Sequence, residues 1–432
     1  MSLEKPACGA LTLALALSAG AANAKPPIIT FNGGGTPTAF AVLSQDLTDY
    51  TKTPDTFFYA ATGSSAGQSA FLTDNIGYFK PQSSTNPSGY AAGTRTYGTV
   101  SGTAVDFALT DAPLTSSQIS NYSRSSTDGP LIQFPVLGVP VALAYNASSS
   151  ALTLTDAQIC GVLSGQITDF HALDPAVASG TAITVVVPSD GSVTTYLLTQ
   201  HLNAVCTSGN SSFPEYPVPV TQYFYNSAGA TAPVFPNGLP PDFDGVTGSA
   251  AIAAMLGSTA NSFGYLPPDY TSIAPNATNT TSLPVAWVVN GQNGVGYLPT
   301  VANTTLAMNN PGPGATDVTP PASMALAENQ MNWAPTMPQP ALGYSIIGFP
   351  MAIMSSCYDV VSAQHLIGAI RNLLSKKPPY ATNATHAGYV PMQTAKFGGV
   401  YATAINRIFL TDKDGYGLNI NEDVPCSSYT GR

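Results

Sequence analysis

Along this 432-residue chain, short apolar runs alternate with turns rich in Gly and Ser and with stretches of helical spacing. IITFNGGGTPTAFAVLSQDL reads as a strand over 28–31, a glycine turn, and a helix near 38–47. FFYAATGSSAGQSAFLTDN repeats that form: a β-type run over 57–62, a turn, then a helix-compatible run. AITVVVPSDGSVTTYLLTQHLNAVC repeats it again, with a strand over 183–187, a turn at Ser189-Asp190-Gly191 and a helix from Ser192 to about Ala204. Between them, AVDFALTDAPLT reads as a strand ending at Asp111. Strands alternating with helices predict an α/β fold. In such folds ligands sit beyond the carboxyl ends of the strands. Each helix start there offers unpaired N–H groups and the positive end of a dipole. Three such starts meeting at one point would hold an anion without any Arg.

Two longer apolar β runs, LIQFPVLGVPVALAYN (131–146) and ALGYSIIGFPMAIMSSC (341–357), bracket the middle of the chain. A lobe inserted into another lobe needs two crossing strands of this kind. The expected organisation is therefore a discontinuous first lobe, 25–135 with 345–432, and an inserted second lobe, 136–344. Within the insert, 207–244 and 270–340 are rich in Pro, Asn, Thr and Gly and read as long surface loops. SAQHLIGAIRNLLSKK (362–377) has the spacing of an amphipathic helix, with Lys376 and Lys377 at its end and Pro378-Pro379 stopping it. Trp287 and Trp333 read as packing residues, and His365 as a surface or boundary residue.

Charge changes the picture of what can bind. Charged residues make up 8% of the chain against 44% hydrophobic, and the net charge is −10. That balance is globular and argues against nucleic acid as a partner. No Lys or Arg occurs between Arg124 and Arg371. An anion bound by that stretch must be held by N–H dipoles and hydroxyls. At the N-terminus, LTLALAL followed by Ala22-Asn23-Ala24 reads as a signal peptide over 1–24, too short to span a bilayer. An exported, periplasmic or secreted chain is expected.

Past that peptide four cysteines remain, Cys160, Cys206, Cys357 and Cys426. An even count in an exported chain favours two disulfides. Of three possible pairings, 160–206 and 357–426 close the most local loops. The four histidines are scattered and no C-x-x-C occurs, so no metal site and no cofactor is expected. DKDG (412–415) lacks the flanking residues of a calcium loop and reads as a turn.

The sharpest motif is Gly63-Ser64-Ser65-Ala66-Gly67, which fits the G-x-S-x-G nucleophile elbow. Its strand–turn–helix context suits a nucleophilic Ser65. It equally suits an anion cradle using Ser64, or a plain helix cap. A nucleophile needs a His base, and neither His171 nor His201 has a motif around it. Asp111 reads either as a ligand-facing carboxylate or as a turn Asp before Ala112-Pro113. Ser192 and Thr194 sit at a helix start, where capping and binding are compatible.

Asn32-Gly33-Gly34-Gly35, Gly63-Ser64, Thr110-Asp111, LTDAQICGVLSGQITDF, LNAVC, GFPMAIMSSCY and AINRIFLTDKDGYG together resemble the DING family of phosphate-binding proteins. That family is similar in turn to the periplasmic phosphate-binding proteins of ABC transporters. The resemblance covers nearly all of the chain past the signal peptide. It implies a two-lobed α/β protein with crossing hinge strands that captures phosphate or a related oxyanion. An ABC permease is the implied partner, a monomer is expected, and no enzymatic activity is implied. It also implies the same two disulfides, and a ligand set of Thr38, Ser64, Asp111, Ser192, Val193 and Thr194. The Asp would accept a hydrogen bond from a protonated phosphate oxygen and repel sulfate.

Three positions depart from the family pattern. Pro188 stands where the family has its phosphate-pairing Arg, Pro37 where a Thr is usual, and Val193 where a Gly is usual. Weaker binding, another small oxyanion or a shifted ligand are consistent with these changes. Two other readings use the same residues: an exported Ser-dependent hydrolase or phosphatase acting through Ser65, and a surface or matrix protein built on the scaffold.

Overall fold

The computed structural model describes residues 30–50, 56–148, 151–227, 230–274, 283–358, 360–421 and 426–432. The signal peptide read over 1–24 lies outside them. Two sheets organise the described chain. The first has six strands in the order Thr96–Tyr97, Thr56–Ala60, Thr30–Gly35, Phe107–Thr110, Met351–Ser355, Leu131–Pro135. The second has four, in the order Phe243–Val246, Thr184–Pro188, Ser262–Leu266, Ala142–Asn146. Helices flank both, giving the α/β two-lobed architecture.

Both sheets carry a point where the chain order reverses. Thr30–Gly35 lies between two parallel neighbours, Thr56–Ala60 and Phe107–Thr110. Thr184–Pro188 likewise lies between the parallel strands Phe243–Val246 and Ser262–Leu266. Ligands of open α/β sheets bind at such switch points, outside the carboxyl ends.

The connection between the sheets is a continuous apolar path. Leu131–Pro135 belongs to the first sheet, Leu137–Pro140 follows, and Ala142–Asn146 belongs to the second. The return runs from Ile347–Gly348 to Met351–Ser355. The two crossing segments pair antiparallel, with Ile347 opposite Pro140 and Gly348 opposite Val139. All of the residues from Leu131 to Tyr145 are buried, as a path between two cores requires.

Several expectations need correction. NGGG is the end of the Thr30–Gly35 strand and not a turn. A Cβ on Gly33 would lie 2.1 Å from the Phe107 ring, one on Gly34 would lie 2.3 Å from the Phe79 ring, and one on Gly35 would lie 2.1 Å from the Leu109 carbonyl oxygen. These glycines make room for rings and backbone, and only Gly35 has positive φ, at 128°. The turn falls later, over 36–39, before the helix Phe40–Asp49.

The stretch 270–340 is not a run of surface loops. It contains the strand Trp287–Val289, the helix Val301–Met308 and a 3₁₀ turn, Gln330–Trp333. Trp333 is fully buried against Phe409 and Tyr401. Trp287 is 38% exposed, so it is not a core residue. The helix read over 362–377 is Val360–Leu373. Lys376 and Lys377 lie beyond it, in the connection to Tyr380–His386.

Both disulfides are present, Cys160–Cys206 and Cys357–Cys426. They close loops of 46 and 69 residues, a constraint on the unfolded chain of about 4 kcal/mol each. DKDG forms a turn in which Asp412 accepts from the Gly417 N–H. No helix among the described residues is long and apolar enough to cross a membrane.

Candidate functional site

The turns after each switch-point strand and its parallel neighbour face one another. On the first sheet these are the segments before the helices Phe40–Asp49 and Ser64–Thr73; on the second, those before Val193–Val205 and Ser249–Ser258. Together they enclose a small cleft lined by Pro37, Thr38, Gly63, Pro188, Asp190, Gly191, Ser192, Val193, Thr194, Gly248, Ser249 and Ile252. The lobes approach closely here. A Cβ on Gly63 would lie 3.5 Å from the Gly191 carbonyl oxygen, and one on Gly191 would lie 2.7 Å from Ser65 Oγ. As it stands the cleft holds about 10 Å³ of free space, room for about one water, so a tetrahedral oxyanion fits only with these turns further apart.

None of these four helices has a side-chain N-cap. Their cap positions are Ala39, Gly63, Ser192 and Gly248. Elsewhere Thr115, Thr155 and Thr300 cap helices through their hydroxyls, while Arg124, Ser323, Pro379 and Ala395 hold cap positions without a side-chain bond. First-turn N–H groups have no partner within their helix. Leaving them uncapped beside a cleft keeps the donors and the positive dipole ends available to an anion. The capping alternative for Ser64 is therefore corrected: Gly63 holds the cap position and Ser64 begins the helix. Ser192 does hold a cap position, but its hydroxyl is 2.9 Å from the Thr194 hydroxyl and makes no cap bond. Val193 is the first helical residue, a position where a β-branched side chain is unstrained.

Asp111 lies one layer behind Thr38 and Ser64. Its carboxyl is fully buried, with Oδ2 accepting from the Thr36 hydroxyl at 2.9 Å. Oδ1 has no hydrogen-bond partner among the described residues. Ser64 Oγ accepts from the Asp111 N–H at 3.3 Å, which ties the two residues together. Burial pushes the Asp111 pKa up to about 7, against the pull of the Thr36 and Thr38 hydroxyls. A second narrow cavity is lined by Asp111, Tyr196, Gln200, Thr336 and Phe349.

Ser65 shows nothing of a nucleophile's surroundings. His201 is occupied by the Pro338 carbonyl and Asp156, and His171 by the Val177 carbonyl. No histidine lines the cleft or the wider cavity beside it.

A family model for the PBP superfamily domain matches residues 20–332. This chain belongs to the PBP superfamily. Its relatives include Alkaline phosphatase L of Pseudomonas aeruginosa strain UCBPP-PA14, 32% identical over 435 residues, or 96% of this chain and 97% of that protein. A Phosphate-binding protein from an unknown prokaryotic organism is 30% identical over 420 residues, 92% of this chain and 98% of that one. Among solved structures, a high-affinity periplasmic phosphate-binding protein (PfluDING) bound with phosphate at pH 8.5 superposes with a TM-score of 0.72 and 27% identity, covering 94% of this chain and 99% of that one. The resemblance to DING phosphate-binding proteins thus holds over the whole fold.

Three functional features of this PBP superfamily member escaped the sequence reading. The first is Asp190, whose Oδ1 accepts from the Gly248 N–H at 3.0 Å; burial raises its pKa. The second is the helix start at Gly248-Ser249, which follows the strand Phe243–Val246 in the same strand–turn–helix form as the other three. That repeat was visible in DGVTGSAAIAAML.

The third is Arg95. Its guanidinium bonds Asp269 at 3.2 Å and the Pro37 carbonyl at 3.0 Å, and lies 4.8 Å from the Phe40 ring and 4.7 Å from the Tyr270 ring. Tyr389 donates to the other oxygen of Asp269 at 2.6 Å. Arg95 therefore fastens the Pro37 turn, after Thr30–Gly35 of the first sheet, to the 268–270 turn, after Ser262–Leu266 of the second. Composition alone hides such a contact, since it joins residues 174 positions apart.

Proposed function

We propose that this protein is an exported, non-enzymatic solute-binding protein that captures inorganic phosphate or a related oxyanion between its lobes. The observation that carries this reading is the buried Asp111 carboxyl, with an unpartnered oxygen, directly behind Ser64 at one of the uncapped helix starts. Thr38, Ser64, Ser192, Val193 and Thr194 supply the surrounding hydroxyls and N–H donors, and Asp111 accepts the proton that phosphate carries and sulfate lacks. The first lobe comprises 25–135 and 345–432, the second 136–344, and closure occurs about the paired crossing strands. The protein is a monomer, cleaved near Ala24, that works in the periplasm or outside the cell and delivers its ligand to an ABC permease.

Calorimetric titration of phosphate into the refolded, ligand-stripped protein, with sulfate as control, tests this. Phosphate is expected to bind and sulfate not. Asp111→Asn is expected to lose about tenfold or more in phosphate affinity and to admit sulfate. Sulfate binding as tight as phosphate to the unaltered protein would sink the reading.

The name carried by the Pseudomonas aeruginosa relatives gives a second reading, a phosphatase acting through Ser65. Turnover of a phosphate monoester that disappears in Ser65→Ala would support it. Unchanged turnover in that variant would remove it.

A further inference from the structure

Two carboxylates, one lining the cleft and one behind it, stand where an anion site ordinarily holds a cation. Asp190 lines the cleft directly, and Pro188, two residues earlier, brings no charge. Gly248 satisfies Asp190 Oδ1, while Oδ2 is turned across the cleft: a Cβ on Gly63 would lie 3.9 Å from it. The next residue, Ser64, accepts from the Asp111 backbone N–H, and the buried Asp111 carboxyl behind it keeps Oδ1 without a partner among the described residues. The two acids thus flank successive residues of one helix start. No Lys or Arg lines this cleft.

Arg95 borders the wider cavity of about 290 Å³ alongside, where it is committed to Asp269 and the Pro37 carbonyl. Tyr59 and Tyr389 lie within electrostatic reach of Asp111 and Tyr265 within reach of Asp190, while Arg95 and Asp269 pair with one another beyond those tyrosines. Tyr223 packs on Gly191, and Tyr196 begins the second turn of its helix. The helix starts at Ser64 and Ser249 bring no ionisable side chain.

A dianion would meet two like charges here, with only dipoles to offset them. Protons on the ligand turn both repulsions into hydrogen bonds. We propose that the cleft selects tetrahedral oxyanions in their singly charged, proton-bearing form, dihydrogen phosphate first among them, with Asp111 and Asp190 each accepting a ligand proton. This rests on the oxyanion reading above and adds the charge state of the ligand. Above the second dissociation of phosphate, binding then takes a proton from solution, and affinity falls by up to about tenfold per pH unit. Burial raises the pKa of both carboxyls, so a proton shared between acid and ligand is held in the site either way.

The test is calorimetric titration of phosphate into the ligand-stripped protein at pH 5.5 and pH 8.5. At the higher pH it is repeated in two buffers of different ionisation enthalpy, which counts the protons taken up. Asp190→Asn is titrated in parallel, because its amide keeps an oxygen for the Gly248 N–H and turns a donor toward the cleft. The unaltered protein is expected to bind phosphate at least about tenfold more tightly at pH 5.5, with net proton uptake at pH 8.5. Asp190→Asn is expected to bind about tenfold more tightly than the unaltered protein at pH 8.5, with less uptake, a gain that misfolding cannot mimic. Equal affinity at both pH values without proton uptake, or weaker binding by Asp190→Asn at pH 8.5, overturns the proposal and leaves the phosphate reading standing. Absence of phosphate binding at both pH values overturns both.

Discussion

A carboxyl group that water cannot reach prefers to keep its proton, and Asp111 and Asp46 are both in that position. Burial raises each to about 7, from an unfolded value of about 3.9. A raised carboxyl contributes its stability in full below the unfolded value and loses it as pH climbs through the folded one. Thermal melts of the ligand-free protein are therefore expected to give a higher Tm at pH 5 than at pH 8. Asp46→Asn and Asp111→Asn should each narrow that difference, and an unchanged difference in both would contradict the assignment. Pro188 offers the converse test. It ends its strand opposite Val246 with its ring on the cleft. Pro188→Arg would place a guanidinium two residues from Asp190 and is expected to tighten phosphate binding at pH 8.5 by about tenfold, read by calorimetry. The positions of Ser64 and Asp111 just past a strand were legible in the sequence because each stands where an apolar run stops. Asp190 was not, because an Asp inside Ser-Asp-Gly is what any turn uses.

At the scale of elements, the strand–turn–helix grammar was readable wherever an apolar strand ran straight into a turn and a helix. It failed at NGGG for a specific reason. Glycine signals a turn in local sequence, whereas here it is demanded by the Phe107 and Phe79 rings and the Leu109 carbonyl from distant parts of the chain. Gly35→Ala combines a Cβ 2.1 Å from a carbonyl oxygen with a backbone φ of 128°. It is expected to cost about 3 kcal/mol or more, measured by chemical denaturation, and to misplace the 36–39 turn that carries Thr38. The stretch 283–340 misled in the opposite direction. Its Pro, Asn and Thr content looks like loop, yet Val288, Met308, Trp333 and Met337 are all buried within it. Composition averages over a segment, and a few large apolar side chains suffice to anchor it.

Over the whole molecule, the Arg95–Asp269 contact decides how firmly the lobes stay together. The Arg95 side chain is 21% exposed and that of Asp269 1%, and Tyr389 completes the cluster. Removing one partner leaves the other charge buried and uncompensated, at a cost of about 3 kcal/mol to the closed form. Arg95→Met is expected to raise the radius of gyration seen by small-angle scattering in the absence of ligand and to weaken phosphate binding. An unchanged scattering profile and affinity would show that the crossing strands alone set the closed form. The two-lobed arrangement was legible from the pair of apolar runs that bracket the insert. The latch was not, since only folding brings its three residues together.

Arg95 supplies the cation at this contact because residues 125–370 contain no Lys or Arg, and that scarcity bears on how the chain meets proteases. Trypsin-like enzymes cut only after Lys or Arg, and from Arg124 to Arg371 they find neither. The second lobe, both crossing strands and the cleft-lining residues from Pro188 to Ile252 fall inside that span. Even reduced and fully unfolded, the chain is expected to leave 125–371 as a single tryptic fragment, visible as one large species by mass spectrometry. The scarcity of cations that leaves the cleft to hydroxyls and N–H dipoles thereby leaves this span without a site for trypsin-like proteases.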